Sequence, residues 1–214
     1  NKEKDEENKK EIIEQILFAR ANIVKNAKNK FDKLNEILDE LGKDVSHTLI
    51  YCTPQQIDKV VNILNERNLI IHRFTMRERT VPEKKYGGIS EREFLLKKFD
   101  EGEYQILVAM KCLDEGVDVP PARTAILMAS SGNPREYIQR IGRILRRHRD
   151  KKRAVIYDII IIPSFYINMP PEYKELEKKI FYKELERVEE ISRAAINSVD
   201  VLKELYELRD FILK

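Results

Sequence analysis

The sequence predicts an α/β fold: a parallel sheet with helices on both faces, flanked by helical segments on its N- and C-terminal sides. Three observations carry that expectation. Short apolar runs rich in β-branched residues recur between 46 and 162. Amphipathic stretches at helical spacing lie between them, the alternation that βαβ units produce. Outside that span, apolar residues recur at steps of three and four, the period of a helix. The domain boundaries that follow are 1–44, 45–163 and 164–214.

Residues 1–43 are expected to be helical, on the spacing of Ile13, Ile16, Leu17, Val24, Ala27, Phe31, Leu34, Leu38 and Leu41. Gly42 stands where a helix C-terminus favours glycine. The first ten residues are almost all charged and are expected to fray. Strands are expected within 47–52, 69–74, 105–110, 124–129 and 154–162, and helices within 54–67, 91–101 and 134–147. Leu49-Ile50-Tyr51 and Ile106-Leu107-Val108 are apolar on both faces, as buried central strands are. Residues 76–89, with Pro82, Gly87 and Gly88, form a long charged loop. It reads as a solvated surface loop unless Arg77, Arg79, Lys84 and Lys85 meet a nucleic acid. Residues 171–214 return to helical spacing at Leu176, Ile180, Val188, Ile191, Ala195, Leu202, Leu205 and Phe211. The apolar stripes of both terminal segments read as core faces, packed on the sheet or on each other. A coiled-coil partner site is the alternative.

Hydrophobic residues make up 42% of the 214, enough for a sizeable core and well above a disordered chain. Charged residues reach 36%, and tryptophan is absent, a composition that leans towards heat adaptation. The net charge of +3 is a near balance, so the local distribution matters more than the total. Cys52 and Cys112 form no CxxC and read as buried thiols of a reducing, cytoplasmic compartment. No apolar run approaches the roughly 18 residues of a membrane span, so no membrane partner is expected. The chain opens on Asn1, which suggests a fragment.

The first chemistry-bearing segment is Gln139-Arg140-Ile141-Gly142-Arg143-Ile144-Leu145-Arg146. In a helix Gln139, Arg143 and Arg146 share one face, at steps of four and three. Gly142 removes the side chain that would keep another surface at a distance. Guanidinium groups suit a triphosphate arriving from outside the domain, because they are planar, always charged and able to fork two hydrogen bonds onto phosphate. The plain alternative is a solvated basic helix. The second segment runs from Ile106 to Pro120, where a buried strand ends near Met110 and the chain turns. Loops at the carboxyl ends of parallel strands are where α/β sheets bind ligands. Gly116 permits close approach, and Asp118 offers an acceptor for a sugar hydroxyl. Here the plain alternative is an ordinary Asp/Gly/Pro turn. Asp114-Glu115 lies in the turn beyond the strand end and is not read as a magnesium-binding pair.

Together these segments resemble the second RecA-like lobe of superfamily-two helicases, over roughly 46–163. The strand ending in Tyr51-Cys52-Thr53 looks like the motif that opens that lobe. Thr75, Glu91, Arg92 and Phe99 match its loop-plus-helix signature. Glu115-Gly116-Val117-Asp118-Val119-Pro120 looks like the fifth motif, and residues 139–146 look like the sixth. The wording is closest to restriction-enzyme, UvsW-like and XPB-like DNA helicases and translocases.

The resemblance implies a RecA-like sheet and the following roles. Arg143 and Arg146 would reach the γ-phosphate in a partner lobe's site, with Gln139 helping to position the attacking water. Asp118 would bind the ribose, and Gly116 would approach the nucleotide. Thr53, Thr75, Met110 and Lys111 would face the nucleic-acid backbone, with DNA expected ahead of RNA. The family often has threonine where this chain has Met110, so one hydroxyl contact is lost.

No G-x-x-x-x-G-K-[ST] occurs, and no Asp-Glu pair closes a buried strand, so neither Walker A nor Walker B is present. ATP with Mg²⁺ is therefore expected to be bound mainly by a missing N-terminal RecA-like lobe of the same protein. The chain alone is expected to be inactive as an ATP hydrolase. Two alternatives stand beside the motor lobe: a non-catalytic nucleic-acid-binding RecA-like module, and a scaffold that recruits a protein through its terminal helices.

Overall fold

The computed structural model describes residues 2–43, 45–110, 118–119, 121–129, 138, 141–144, 146–148, 151–162 and 170–213. The chain divides into two compact units, Asn1–Ser130 with Gly142–Ile159, and Ser131–Ile141 with Ile160–Lys214.

The first unit runs α1 (Lys2–Lys25), α2 (Lys30–Leu41), β1 (Thr48–Tyr51), α3 (Ile57–Glu66), β2 (Ile71–Phe74), a 3-10 turn (Lys84–Tyr86), α4 (Glu91–Asp100), β3 (Ile106–Ala109), β4 (Thr124–Leu127) and β5 (Val155–Asp158). Each strand falls inside one of the apolar runs read from the sequence, and the central β1 and β3 are buried along their whole length. The five strands form one all-parallel sheet in the order β2-β3-β1-β4-β5. The register puts Phe74, Ala109, Tyr51, Leu127 and Asp158 in a single row, so the carboxyl ends finish level.

The connections set the layers. From β1 to β2 the chain passes β3 in one direction, and from β2 to β3 it comes back. Right-handed crossovers then place α3 and α4 on opposite faces. On one face Ile50, Ile106, Val108 and Ile126 pack with Phe31, Leu34, Ile37 and Leu38 of α2 and with Ile57, Val60 and Leu64 of α3. The intervening Leu49, Leu107, Ala125 and Leu127 are buried as well, as are Leu95 and Phe99 of α4. Each such fully buried aliphatic side chain contributes about 1.5–3 kcal/mol.

The ends of the helices follow local chemistry. Helix α2 stops at Gly42, whose φ of 70° is easy only for glycine and whose amide donates to the Leu38 carbonyl at 3.1 Å. Helix α4 starts with a capping box. The Glu93 amide donates to Ser90 Oγ at 3.2 Å, and the Ser90 amide donates to Glu93 Oε2 at 2.8 Å.

Two expectations for the N-terminal segment need correction. The charged opening is helical from Lys2 onward instead of frayed. The core-face reading of the apolar stripe holds for α2 only; Ile12, Ile13, Ile16, Phe18 and Ile23 of α1 are exposed. Periodicity reports that a helix has an apolar face, and it carries no information on what that face meets.

The second unit is a helix pair, α5 (Pro171–Ser192) and α6 (Ser198–Leu213). Pro171 occupies the first turn of α5, where a missing N–H costs nothing. Phe181, Leu185, Leu205 and Ile212 form the core, with Ile160, Val188 and Leu202 packed against it. Glu189 accepts from Tyr206 Oη at 2.9 Å and from Arg193 at 2.7 Å, which ties the two helices together at one end. Among the described residues no helix is long and apolar enough to cross a membrane.

Candidate functional site

The carboxyl edge of the sheet collects the residues singled out by sequence. Thr75 follows β2, Met110 follows β3, and Thr53 lies two residues beyond β1. These are three adjacent strands, so with neighbours roughly 4.8 Å apart the three residues emerge within about 10 Å across the sheet.

Both threonine hydroxyls are engaged by the chain itself. Thr75 is buried; its Oγ1 donates to the Glu78 carboxylate at 3.0 and 3.1 Å, and its amide donates to Glu78 Oε2 at 2.7 Å. Thr53 Oγ1 donates to Asn26 Oδ1 at 2.5 Å, and its amide to Gln56 Oε1 at 2.9 Å. A phosphate oxygen would have to displace Glu78 or Asn26 to receive either proton. Met110 packs its side chain against the core, and its amide donates to the Phe74 carbonyl at 3.3 Å. That amide is therefore not open to a phosphate. Lys111, Gly116 and Gln139 lie outside the described residues.

Asp118, Arg143 and Arg146 come together although 25 residues separate the aspartate from the first arginine in sequence. Residues 141–144 are helical, and Arg143 projects from them towards the Asp118 carboxylate. Asp118 Oδ2 accepts from Arg146 Nη1 in direct contact. Its Oδ1 faces Arg143 Nη1 at 3.7 Å, too far for a hydrogen bond. Among the described residues, buried Asp118 Oδ1 and Arg143 Nε have no hydrogen-bond partner. Each such atom costs on the order of 1–3 kcal/mol until something satisfies it. Among the described residues one carboxylate thus serves two guanidiniums and leaves the cluster positively charged and incompletely hydrogen-bonded. A Cβ added at Gly142 would meet nothing within 4 Å, so the backbone beside Arg143 is open to an approaching surface. The chemistry of the cluster is that of anion capture.

The cluster has a mounting that the sequence reading missed. Lys151 Nζ donates to the Ile144 carbonyl at 2.6 Å and to the Ala122 carbonyl at 3.2 Å. Ile144 lies on the arginine-bearing segment, and Ala122 lies just beyond the Asp118-Val119 stretch, so one ammonium holds both in place. Burial pushes the Lys151 ammonium below the ordinary lysine range. His148 pairs with Lys151 in an antiparallel bridge, and its Nε2 lies 3.4 Å from Asp100 Oδ1 at the end of α4. Lys151 sits in a basic run, Lys151-Lys152-Arg153, which hides from sequence which lysine turns inward. Gln56 was likewise missed. It is buried, accepts from Thr53 and donates to the Lys25 carbonyl at 2.8 Å, joining the end of β1 to the end of α1.

The all-parallel five-stranded sheet with helices on both faces defines the class, an α/β RecA-like lobe. The chain belongs to the helicase conserved C-terminal domain family, whose model matches residues 29–148. It is similar to the DNA 3'-5' translocase XPB2 of Sulfurisphaera tokodaii, 35% identical over 135 residues, covering 63% of this chain and 27% of that protein. It is also similar to the DNA 3'-5' helicase XPB of Mycobacterium tuberculosis, 38% identical over 72 residues, covering 33% of this chain and 13% of that protein. The chain therefore spans about a quarter or less of the length of these two relatives. Among solved structures, the C-terminal domain of the DEAD-box protein Dbp5 aligns with a TM-score of 0.48 at 21% identity, covering 74% of this chain and 93% of that one.

Proposed function

We propose that this chain is the second motor lobe of an ATP-dependent DNA helicase or translocase and completes an ATP site held by an N-terminal RecA-like lobe. One observation carries the reading: Asp118 gathers Arg143 and Arg146, while among the described residues Asp118 Oδ1 and Arg143 Nε have no hydrogen-bond partner. Such a cluster fits a polyphosphate brought by another surface. Arg143 and Arg146 act as arginine fingers, placing positive charge against the γ-phosphate as charge develops there. When the phosphate arrives it takes over the guanidinium bonds, and Asp118 is released to accept a ribose hydroxyl. Gln139 orients the attacking water, and Gly116 lets the backbone approach the nucleotide.

Mg²⁺ and most of the triphosphate are bound by the other lobe; among the described residues here no acidic or His/Cys group is arranged to hold a metal. Thr53, Thr75, Met110 and Lys111 border the nucleic acid along the sheet edge. DNA is the preferred substrate class, since the two relatives above carry DNA in their names. In this reading 45–163 is the motor lobe with α2 packed into its core, and α1 and 164–214 are helical attachments.

The test is steady-state ATPase of the protein carrying both lobes, with and without duplex DNA, for the wild type and Arg143→Ala. Turnover should fall by about 10³–10⁵ with the KM for ATP little changed. Unchanged turnover would remove the arginine-finger role and leave a nucleic-acid-binding module.

A further inference from the structure

The loop between β2 and α4 is folded in a way that sorts its charges. Residues 75–92 contain five bases, Arg77, Arg79, Lys84, Lys85 and Arg92, against three acids, Glu78, Glu83 and Glu91. All three acids are half-buried and hold the loop's own donors. Glu78 accepts from the Thr75 amide and hydroxyl. Glu91 accepts from the Arg79 amide at 3.0 Å and from Tyr86 Oη at 2.6 Å, closing the loop across twelve residues. The Glu83 amide donates to the Ile89 carbonyl at 3.1 Å, and Gly87 and Gly88, with φ of 73° and 85°, turn the chain there. Tyr86 packs on Phe94 of α4, with ring centroids 5.1 Å apart.

The Glu83 carboxylate pairs with two of the five bases, Arg79 at 3.3 Å and Lys85 at 3.7 Å. Arg77, Arg79, Lys84 and Lys85 are exposed, and among the described residues Arg77, Lys84 and Arg92 make no ion pair. Arg77, Arg79 and Arg92, together with Glu78 and Glu83, line an open hollow of about 500 Å³ at the foot of the loop. An ordinary solvated loop has little reason to commit two of its three carboxylates to amides and hydroxyls and leave three cations without an ion pair, because mixed exposed charges pair cheaply. A surface built to meet a polyanion does, since unpaired, pre-positioned cations release the counterions of the phosphates they neutralise.

The geometry points to residues 75–92 as a pre-folded cationic strap that grips the phosphodiester backbone of the nucleic acid beside the carboxyl edge of β2, with Arg77 and Lys84 as phosphate ligands. This rests on the motor-lobe reading for its partner and extends it from Thr75 into the residues between the motif positions Thr75 and Glu91. Glu91 and Tyr86 act as positioning residues that keep the strap closed before the nucleic acid arrives.

The experiment is fluorescence anisotropy of this chain with a 30-base-pair duplex and a 30-nucleotide single strand across a KCl series. Arg77→Ala/Lys84→Ala should lower the slope of log affinity against log salt by about 1.8 on duplex, two charges at about 0.9 each. Between 50 and 200 mM KCl the wild-type advantage should accordingly shrink by roughly tenfold. Arg77→Lys/Lys84→Arg keeps both charges and should restore slope and affinity, which separates charge loss from damage to the fold. An unchanged slope in the alanine variant overturns the strap, as does failure of the wild-type chain to bind either probe. Neither result touches the motor-lobe reading, which stands or falls on ATP turnover in Arg143→Ala.

Discussion

The arginine cluster and the strap use the same three residue types, arginine, lysine and carboxylate, with opposite results. At the cluster one carboxylate, Asp118, is shared by two guanidiniums, and among the described residues one of its oxygens has no hydrogen-bond partner. On the strap Glu78 and Glu91 bond amides and hydroxyls while Glu83 pairs with Arg79 and Lys85, so that among the described residues Arg77, Lys84 and Arg92 are left without an ion pair. The first arrangement is held in a compromise that an incoming phosphate can relieve. The second is already satisfied internally and presents charge outward without adjustment. A cluster of the first kind should respond sharply to its ligand, whereas a surface of the second kind should bind through summed charge and fade with salt. The comparison therefore separates a site that switches from a surface that grips, and each half can be broken independently.

The largest effect on the cluster short of removing an arginine should come from its mounting. Lys151→Met keeps the length of the side chain and deletes both bonds to the Ile144 and Ala122 carbonyls. Leaving buried carbonyls without a donor should cost about 1–3 kcal/mol in chemical denaturation. In the two-lobe protein the same variant should lower kcat more than it raises the KM for ATP, because the arginines remain but lose their placement. A stability loss with normal kcat would reduce Lys151 to a structural brace. Salt-dependent DNA binding through the strap should be unaffected, and a change there would undo the claimed independence of the two regions.

Asp118→Asn is the gentler cut. It keeps the shape and removes the charge shared by Arg143 and Arg146. With one hydrogen bond to the ribose weakened, the KM for ATP should rise by roughly tenfold, with kcat falling far less than in Arg143→Ala. A deoxynucleoside triphosphate lacking the ribose 2'-hydroxyl should narrow the gap between wild type and variant if that hydroxyl is the partner. Equal responses of both proteins would place the ribose contact elsewhere.

The sheet was legible because of its burial. Runs such as Leu49-Ile50-Tyr51 and Ile106-Leu107-Val108 are apolar on both faces and can only be central strands, and all four residues of β1 and β3 are buried. The arginine–aspartate cluster was half legible. Helical spacing put Arg143 and Arg146 on one face, but nothing local connects them to Asp118, which arrives from the far side of β4. The strap was legible only as a charged loop whose Arg77, Arg79, Lys84 and Lys85 could meet a nucleic acid, and its closure was not. Its bonds join Glu91 to Arg79 and Tyr86 at separations of twelve and five, which follow no secondary-structure period, so a composition rich in charge, proline and glycine reads as a plain loop. Lys151 and Gln56 escaped for a related reason. A lysine in a basic run and a glutamine before a helix are ordinarily solvated, and only the folded chain identifies the ones that face buried carbonyls.

The smallest effect should be the acid response of the strap. Hydrogen bonds from Tyr86 Oη first, and from the Arg79 amide next, hold the Glu91 carboxyl below its ordinary value of 4.5. The Ser90 amide and hydroxyl do the same for Glu93 in the capping box of α4. A carboxylate whose folded pKa is depressed contributes stability that is fully present above its unfolded value and is lost as pH falls through the folded one. The strap should therefore stay closed at pH 7 and loosen below about pH 4.5, well before the apolar sheet opens. Amide hydrogen exchange across 77–91 should read this as a few-fold loss of protection at Arg79 with β3 unchanged. At neutral pH, Glu91→Ala should produce the same local opening, seen as faster trypsin cleavage after Arg77, Arg79, Lys84 and Lys85. Protection that stays constant through the acid range and in that variant would mean the carboxylate is not what closes the loop. The contrast with the cluster, where the carboxylate serves arginines instead of the backbone, would then lose one of its two sides.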